Sequence, residues 1–165
     1  MRKITLYIAC TLDGYIARKD GSIDWLKKYE GGSDDYGYSK FYSQIDVVVM
    51  GSKTYKQVLT FGDFPHKDRP CYVFTTKKQK LNEYVTFIRD ISLIKKMNKR
   101  IWLVGGSKLI KTFMKHDLID EYVITILPET LGEGIPLFQS EVKLKLVESK
   151  SFKSGLVQLK YKKEK

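Results

Sequence analysis

Only two cysteines and two histidines occur among the 165 residues. Cys10 and Cys71 each lie alone in a strand-like apolar run, so neither a disulfide framework nor a zinc set is available. A reducing, cytoplasmic setting is expected. His66 sits in a loop bounded by Pro65 and Pro70, and His116 ends a helical stretch. Neither has a ligand partner at metal spacing, so no metal site is expected. No Ser or Cys stands in a nucleophile motif. No apolar run approaches the ~18 residues that a membrane helix requires. Arg2-Lys3 ahead of Ile4–Leu12 imitates a signal peptide, but Thr5 and Tyr7 interrupt the run, Asp13-Gly14 ends it, and no small-residue cleavage site follows. Repeats, low-complexity tracts and linkers are missing too, so residues 1–165 read as a single domain.

Acidic residues are also scarce, 19 against 30 Lys and Arg, for a net charge of +11. With 42% hydrophobic and 13% aromatic residues the chain can still build a core. More than half of the excess charge lies in residues 143–165, which hold eight Lys and two Glu. That segment alternates as a strand pair (Leu144, Leu146, then Leu156, Val157, Leu159, Tyr161), so its lysines belong on the solvated face and edge of a sheet. An anionic ligand or surface is the alternative. A basic nucleic-acid-binding module would set aromatics on an exposed sheet face beside Lys. The strands here are apolar on both faces, and neither nucleic acid nor membrane is an expected partner.

Strands and helices alternate along the chain. Ile4–Thr11 reads as a central strand, apolar on both faces. Turns at Asp13-Gly14 and Asp20-Gly21 leave Tyr15–Trp25 as a long loop. Tyr38, Phe41, Tyr42 and Ile45 share one helical face. Further strands are expected at Val47–Met50, Cys71–Thr75, Val85–Ile88, Ile101–Val104 and Tyr122–Leu127. Tyr55, Val58 and Leu59 share a helix face, Ile91 and Ile94 mark a short helix, and Ser107 is placed to cap a helix over Lys108–His116. Strands Lys143–Lys150 and Gly155–Lys162 form a terminal hairpin. The pattern predicts a three-layer α/β domain with a mostly parallel sheet and an antiparallel hairpin at its end.

Two junctions share one design, in which a β-rich run meets glycine and then a helix start. They are Val49-Met50-Gly51-Ser52-Lys53-Thr54 and Leu103-Val104-Gly105-Gly106-Ser107-Lys108. Glycine admits close backbone approach, and the free N–H groups of a helix start favour phosphate. Lys53 and Lys108 oppose the helix dipole unless an anion lies nearby. Read alone, each junction is equally a plain strand-to-helix turn. Two of them in one open α/β sheet point to the carboxyl ends of the strands, where ligands of such sheets bind. Neither is a Gly-x-Gly-x-x-Gly fingerprint or a Walker loop.

The run Tyr7-Ile8-Ala9-Cys10-Thr11-Leu12-Asp13-Gly14-Tyr15-Ile16-Ala17 resembles the opening of the dihydrofolate reductase superfamily, closest to its riboflavin-biosynthesis reductase branch. Met50-Gly51-Ser52-Lys53-Thr54-Tyr55 is similar to that superfamily's Gly-Arg-x-Thr-Tyr motif. Leu103-Val104-Gly105-Gly106-Ser107 resembles its double-glycine turn, and Gly132-Glu133-Gly134-Ile135-Pro136-Leu137-Phe138 its late loop. The resemblance implies an eight-stranded sheet with helices on both faces, binding NADPH across its strand ends. It places Ala9 and Ile16 along the nicotinamide and makes the Thr11–Trp25 loop a mobile lid. Gly51, Ser52, Lys53 and Thr54 would hold the pyrophosphate from one side, with Gly105, Gly106, Ser107, Lys108 and Leu109, following Val104, on the other. Thr75, Thr76 and Lys77 would meet the adenosine ribose and its 2′-phosphate.

Trp25, Tyr38 and Phe41 are the candidate substrate contacts, and one of Tyr36, Tyr38 and Tyr42 is expected to border the substrate. Trp25 reads equally as a core aromatic. Asp13 and Asp35 are the candidate catalytic carboxylates, with a helix cap the alternative for Asp35. The sequence departs from both relatives. Val104 stands where riboflavin-branch reductases carry Glu, Ser52 where Arg is common, and no deaminase zinc motif is present. The implied activity is NADPH-dependent hydride transfer to a small planar heterocycle, pterin- or pyrimidine-like. The alternative is 5-amino-6-(5-phosphoribosylamino)uracil reduction. Riboflavin-branch relatives commonly dimerise, so a homodimer is implied.

Overall fold

Strand β1 (Lys3–Thr11) runs parallel to a neighbour on each side, β6 (Arg100–Gly105) and β7 (Glu121–Leu127). A strand so placed is covered on both faces, which is why its residues are apolar in both registers. The computed structural model describes residues 1–164 and gives one eight-stranded sheet in the order β5-β4-β3-β6-β1-β7-β10-β9. Its other strands are β3 (Val47–Gly51), β4 (Cys71–Phe74), β5 (Val85–Ile88), β9 (Leu144–Ser151) and β10 (Val157–Lys163). Strands β1 and β3–β7 are parallel, whereas β10 pairs antiparallel with both β7 and β9. The mostly parallel three-layer sheet with its terminal hairpin is therefore as expected.

Alternation along the strands divides the interior into two layers. Ile4, Leu6 and Cys10 face one side with Val47, Val49, Ile101 and Leu103, packed under α3 (Ser92–Lys96) and α4 (Ser107–Lys115) by Ile94, Ile110 and Phe113. Val48, Met50 and Trp102 face the other side, under α1 (Tyr38–Tyr42) and α2 (Ser52–Leu59). The helix expected through Ile45 is only five residues long, because Ser43–Ile45 turn down into β3. Tyr55 is buried and Val58 half-buried, but Leu59 is exposed at the end of α2. The Tyr15–Trp25 loop is more ordered than expected. It contains β2 (Tyr15–Ala17), paired with β8 (Ile135–Pro136), and leads into a 3-10 helix at Asp24–Tyr29. Gly134 permits this pairing, since a Cβ there would lie 2.4 Å from the Ala17 carbonyl oxygen.

The terminal hairpin turns where expected, but β9 is an uncovered edge. Leu146 and Val147 are each 50% exposed, and the register shifts between Lys160 and Tyr161. No helix is long and apolar enough to cross a membrane among the described residues.

His66 shows how the second layer handles polar groups. It is buried against Trp102, with Nδ1 3.1 Å from the Tyr42 hydroxyl. That hydroxyl donates to Asp68 at 2.8 Å, while the Arg69 guanidinium lies 3.5 Å above the Tyr42 ring. Burial lowers the His66 pKa to about 4. The folded protein therefore keeps this ring neutral, while the unfolded chain protonates it below about 6.5. Stability is lost as pH falls from about 6.5 towards 4. His66→Gln should reduce the stability difference between pH ~7 and ~4.5, read by urea unfolding, by about 2 kcal/mol.

Candidate active site

The two glycine junctions, distant in sequence, become neighbours because β3 pairs with β6 and Met50 lies opposite Gly105. A Cβ built on Gly51 would lie 3.7 Å from both Gly105 O and Gly106 N. One built on Gly106 would lie 3.4 Å from Thr54 Oγ1. The starts of α2 and α4 thus flank a shared space that side chains would fill, with Gly51 and Gly106 as their N-cap residues. The Gly105-Gly106 peptide is cis. Lys53 and Lys108 are exposed beside this space, and Ser52 and Thr54 are half-buried.

Ser107 does not cap α4, since it is the first helical residue. Its buried hydroxyl instead donates to Pro136 O at 2.5 Å and accepts from Gln139 Nε2 at 2.8 Å. This bond ties the double-glycine turn to the late loop. At the end of β4, Thr75 Oγ1 accepts from Lys77 N at 3.1 Å and from Gln79 Nε2 at 3.3 Å, which folds that hydroxyl into a local turn. Thr76 and Lys77 remain exposed on the same sheet edge.

A cleft of about 180 Å³ opens beside β1 and β7, bordered by Leu156 just ahead of β10. Tyr7 and Ala9 of β1 line it with Thr125 and Leu127 of β7, because Ala9 is in register with Thr125 and side chains two apart share a face. Leu26, Tyr29, Tyr36 and Tyr38 form its other wall. Two of the three tyrosines singled out from sequence therefore border it, and Tyr42 belongs to the His66 cluster instead. Phe41 stands behind the wall, stacked on Tyr7 with ring centres 4.2 Å apart. Trp25 is buried against Leu127 and Leu156, with its indole N–H unpartnered among the described residues. Its 3-10 helix faces the cleft through Leu26 and Tyr29. Ile16 packs onto the opposite core layer with Ile8, and Val104 packs with the aromatic layer around Trp102.

Neither candidate carboxylate is built as an acid. Asp13 accepts from Thr11 Oγ1 at 2.6 Å, Leu131 N at 3.0 Å and Gly132 N at 2.8 Å. The Thr11 bond first, then the backbone N–H bonds, hold its pKa below the usual carboxylate range. It is a clamp between the end of β1 and the 128–134 loop. Asp35 lines the cleft, but its two oxygens accept from Gly37 N and Ser39 N, each at 2.9 Å. Hydrogen bonding from Ser39, followed by the bond from Gly37, lowers its pKa as well. Asp35 is not the N-cap of α1, which is Gly37, but its carboxylate takes up N–H groups at that helix start and meets the cleft in its ionised form. The loop containing Asp13 is further fastened by the Arg18–Asp24 pair at 2.6 Å and by Gln57 Nε2 donating to Gly21 O at 2.6 Å.

Two polar cleft residues, Thr125 and Glu30, went unread in the sequence, as did Gln158, which donates to Thr125 from β10. Gln158 was detectable as the single uncharged polar side chain of β10.

The strand order, with paired glycine junctions at the carboxyl ends of β3 and β6, defines a dihydrofolate-reductase-like α/β domain. The chain belongs to the RibD C-terminal domain family, whose model matches residues 65–158. It is 46% identical to the uncharacterized protein YwjB of Bacillus subtilis (strain 168), over 97% of each chain. A putative riboflavin biosynthesis protein from Shewanella sp. PV-4 has a similar solved structure, with a TM-score of 0.84, 29% identity and 99% of each chain covered. Dihydrofolate reductase from Enterococcus faecalis, complexed with NADP(H) and RAB-propyl, superposes with a TM-score of 0.70 over 99% of this chain and 97% of that one. At 16% identity that likeness is one of fold. Family and fold together make this a reductase-like domain.

The clamp at Asp13 has a direct readout. Asp13→Ala should raise hydrogen exchange at the Leu131 and Gly132 amides by about tenfold or more, because both lose their acceptor. Exchange at Ile101–Leu103 in the sheet centre should stay unchanged.

Proposed function

We propose that this protein is an NADPH-dependent reductase that transfers hydride to a C=N or C=O bond of a small planar heterocycle, pterin- or pyrimidine-like. The observation that carries this reading is the meeting of two glycine junctions and two helix starts at one sheet edge, beside a cleft lined by Ala9. The helix starts of α2 and α4 direct free N–H groups into a space kept open by Gly51 and Gly106, which suits a pyrophosphate. Because the Ser107 hydroxyl is engaged by Pro136 and Gln139, the contribution of residues 105–109 would come from backbone amides. Lys53 and Lys108 add positive charge, and Thr76 and Lys77 are the groups free to meet a 2′-phosphate. When bound, the nicotinamide supplies the hydride.

The chain's own residues position and exclude water. Ala9 is small enough to let a flat ring approach β1, while Leu26 and Leu127 dry the cleft wall. Asp35 offers an ionised carboxylate for orienting a substrate rather than for giving it a proton. A homodimer, on the family resemblance, and a reducing cytoplasmic setting, on the two isolated cysteines, complete the reading. Val104, in place of the riboflavin-branch Glu, counts against phosphoribosylaminouracil as substrate.

Titration with NADPH, followed by nicotinamide fluorescence, tests the reading. NADPH should bind more tightly than NADH at low salt, and Gly106→Val should weaken it by about 100-fold or more while leaving thermal stability within a few degrees. Equal affinity of the variant and the parent would remove this turn from the site. With dihydrofolate as substrate, kcat/KM should be poor, and Asp35→Asn should lower it by less than about tenfold, because no fixed acid is being lost. An efficient rate that falls by about 100-fold in Asp35→Asn would restore that residue as the proton donor.

A further inference from the structure

On the edge opposite the glycine junctions, where the parallel strands begin, lies a second cavity of about 170 Å³. It sits between the end of α4 and the open ends of the β9–β10 hairpin. Engineered apolar cavities of roughly 150 Å³ admit benzene, so this one has room for a single aromatic ring. Met114, Ile119 and Val142 give it apolar walls. Its floor is Tyr122 of β7, only 2% exposed, whose hydroxyl makes no hydrogen bond among the described residues. Burial first, then the Asp117 and Asp120 carboxylates, push the pKa of that hydroxyl up to about 12, so it stays neutral. It can both donate and accept. A buried hydroxyl without a partner carries a cost that the polar tip of a ligand would relieve.

The mouth is built from two sides. Helix α4 closes with Asp117 in the left-handed region, at φ 53°. There Asp117 N donates to Met114 O and Leu118 N to Phe113 O, each over 3.0 Å. This turn brings the Asp117 carboxylate to the cavity, where it pairs with Lys163 Nζ. On the hairpin side, Glu164 N donates to Lys143 O at 3.0 Å and holds the two open ends together. With Asp117 matched by Lys163, the mouth keeps Glu141 and Glu164 against Lys143. None of these three forms an ion pair among the described residues. The carbonyl end of α4 adds its own partial negative charge. In a chain of net charge +11, this mouth is locally acidic and favours a cation.

We propose that this cavity is a second binding site, for a small arylalkylammonium ion with a hydrogen-bonding tip. The ammonium lies between Glu141 and Glu164, the ring packs among the three apolar side chains, and the tip meets the Tyr122 hydroxyl. The cavity shares no residue with the cleft or with the glycine junctions, so this site stands apart from the reductase reading.

Titration of the full chain with tyramine, followed by the methyl signals of Met114 and Met50 in NMR spectra, tests the proposal. Met114 should shift, and Met50, buried in the layer under α2, should not. At low salt and pH ~7, tyramine should bind about tenfold or more tighter than 3-(4-hydroxyphenyl)propionate, which has the opposite charge. It should also bind about threefold or more tighter than 2-phenylethylamine, which lacks the hydroxyl tip. Tyr122→Phe should abolish that second difference by weakening tyramine alone. A merely structural Tyr122 would leave the difference in place or weaken both amines equally, and either result overturns the proposal. Replacing both carboxylates, by Glu141→Gln and Glu164→Gln, should weaken both amines by about tenfold and spare the propionate. Both residues are exposed, so this variant keeps the test decisive if Tyr122→Phe does not fold. Unchanged amine affinity in it overturns the proposal. So does an unmoved Met114 signal at ~10 mM tyramine, a Met50 signal that moves with it, or equal binding of the propionate.

Discussion

Parallel pairing of β1 with neighbours on both sides is the constraint from which the site follows. Parallel strands start and finish in the same direction, so the carboxyl ends of β1, β3, β4, β6 and β7 open on one edge. Both glycine junctions, the end of β4 and the cleft must then share that edge. The antiparallel β10 is the exception, and the exception is useful. Running the other way beside β7, it brings Leu156 and Gln158 to the carboxyl-end region, where a parallel strand would have ended in a loop.

The edge is then fastened by polar bonds rather than by further core. Asp13 joins the end of β1 to Leu131 and Gly132, and Ser107 joins the start of α4 to Pro136. These two attachments hold opposite ends of one irregular segment. The short β2–β8 pair lies between them. A loop rich in Gly and Pro is thereby given a fixed course between the cleft and the paired junctions. Neither attachment uses a long side chain, so little rotamer entropy opposes them.

Much of the architecture was legible because burial on both faces writes a continuous apolar run, as in Val47–Met50 and Ile101–Val104. The glycine junctions were legible for a related reason, since only glycine leaves room where two helix starts meet. Polar roles were less so. Asp13 and Asp35 read as acids by composition and position, but the backbone N–H groups that claim their oxygens come from turns whose geometry the sequence does not state. Ser107 looked like a cap because serine commonly is one, whereas its partner Pro136 lies 29 positions away. Gln158 and Thr125 were invisible as a pair. Their contact depends on the register between β10 and β7, which hydrophobic alternation fixes only to within two residues.

The placement of β1 also bears on how the molecule is made. It is the first of these strands to be synthesised, yet its partners are Arg100–Leu103 and Glu121–Leu127. Until those segments have left the ribosome, Ile4, Leu6 and Ile8 have no sheet to join, and an apolar strand with open edges waits in solution. Closing contacts at such sequence separation is slow. The nascent chain is thus most exposed to aggregation, and most dependent on chaperones that bind extended apolar segments, during the interval in which the future centre of its sheet is still unpaired.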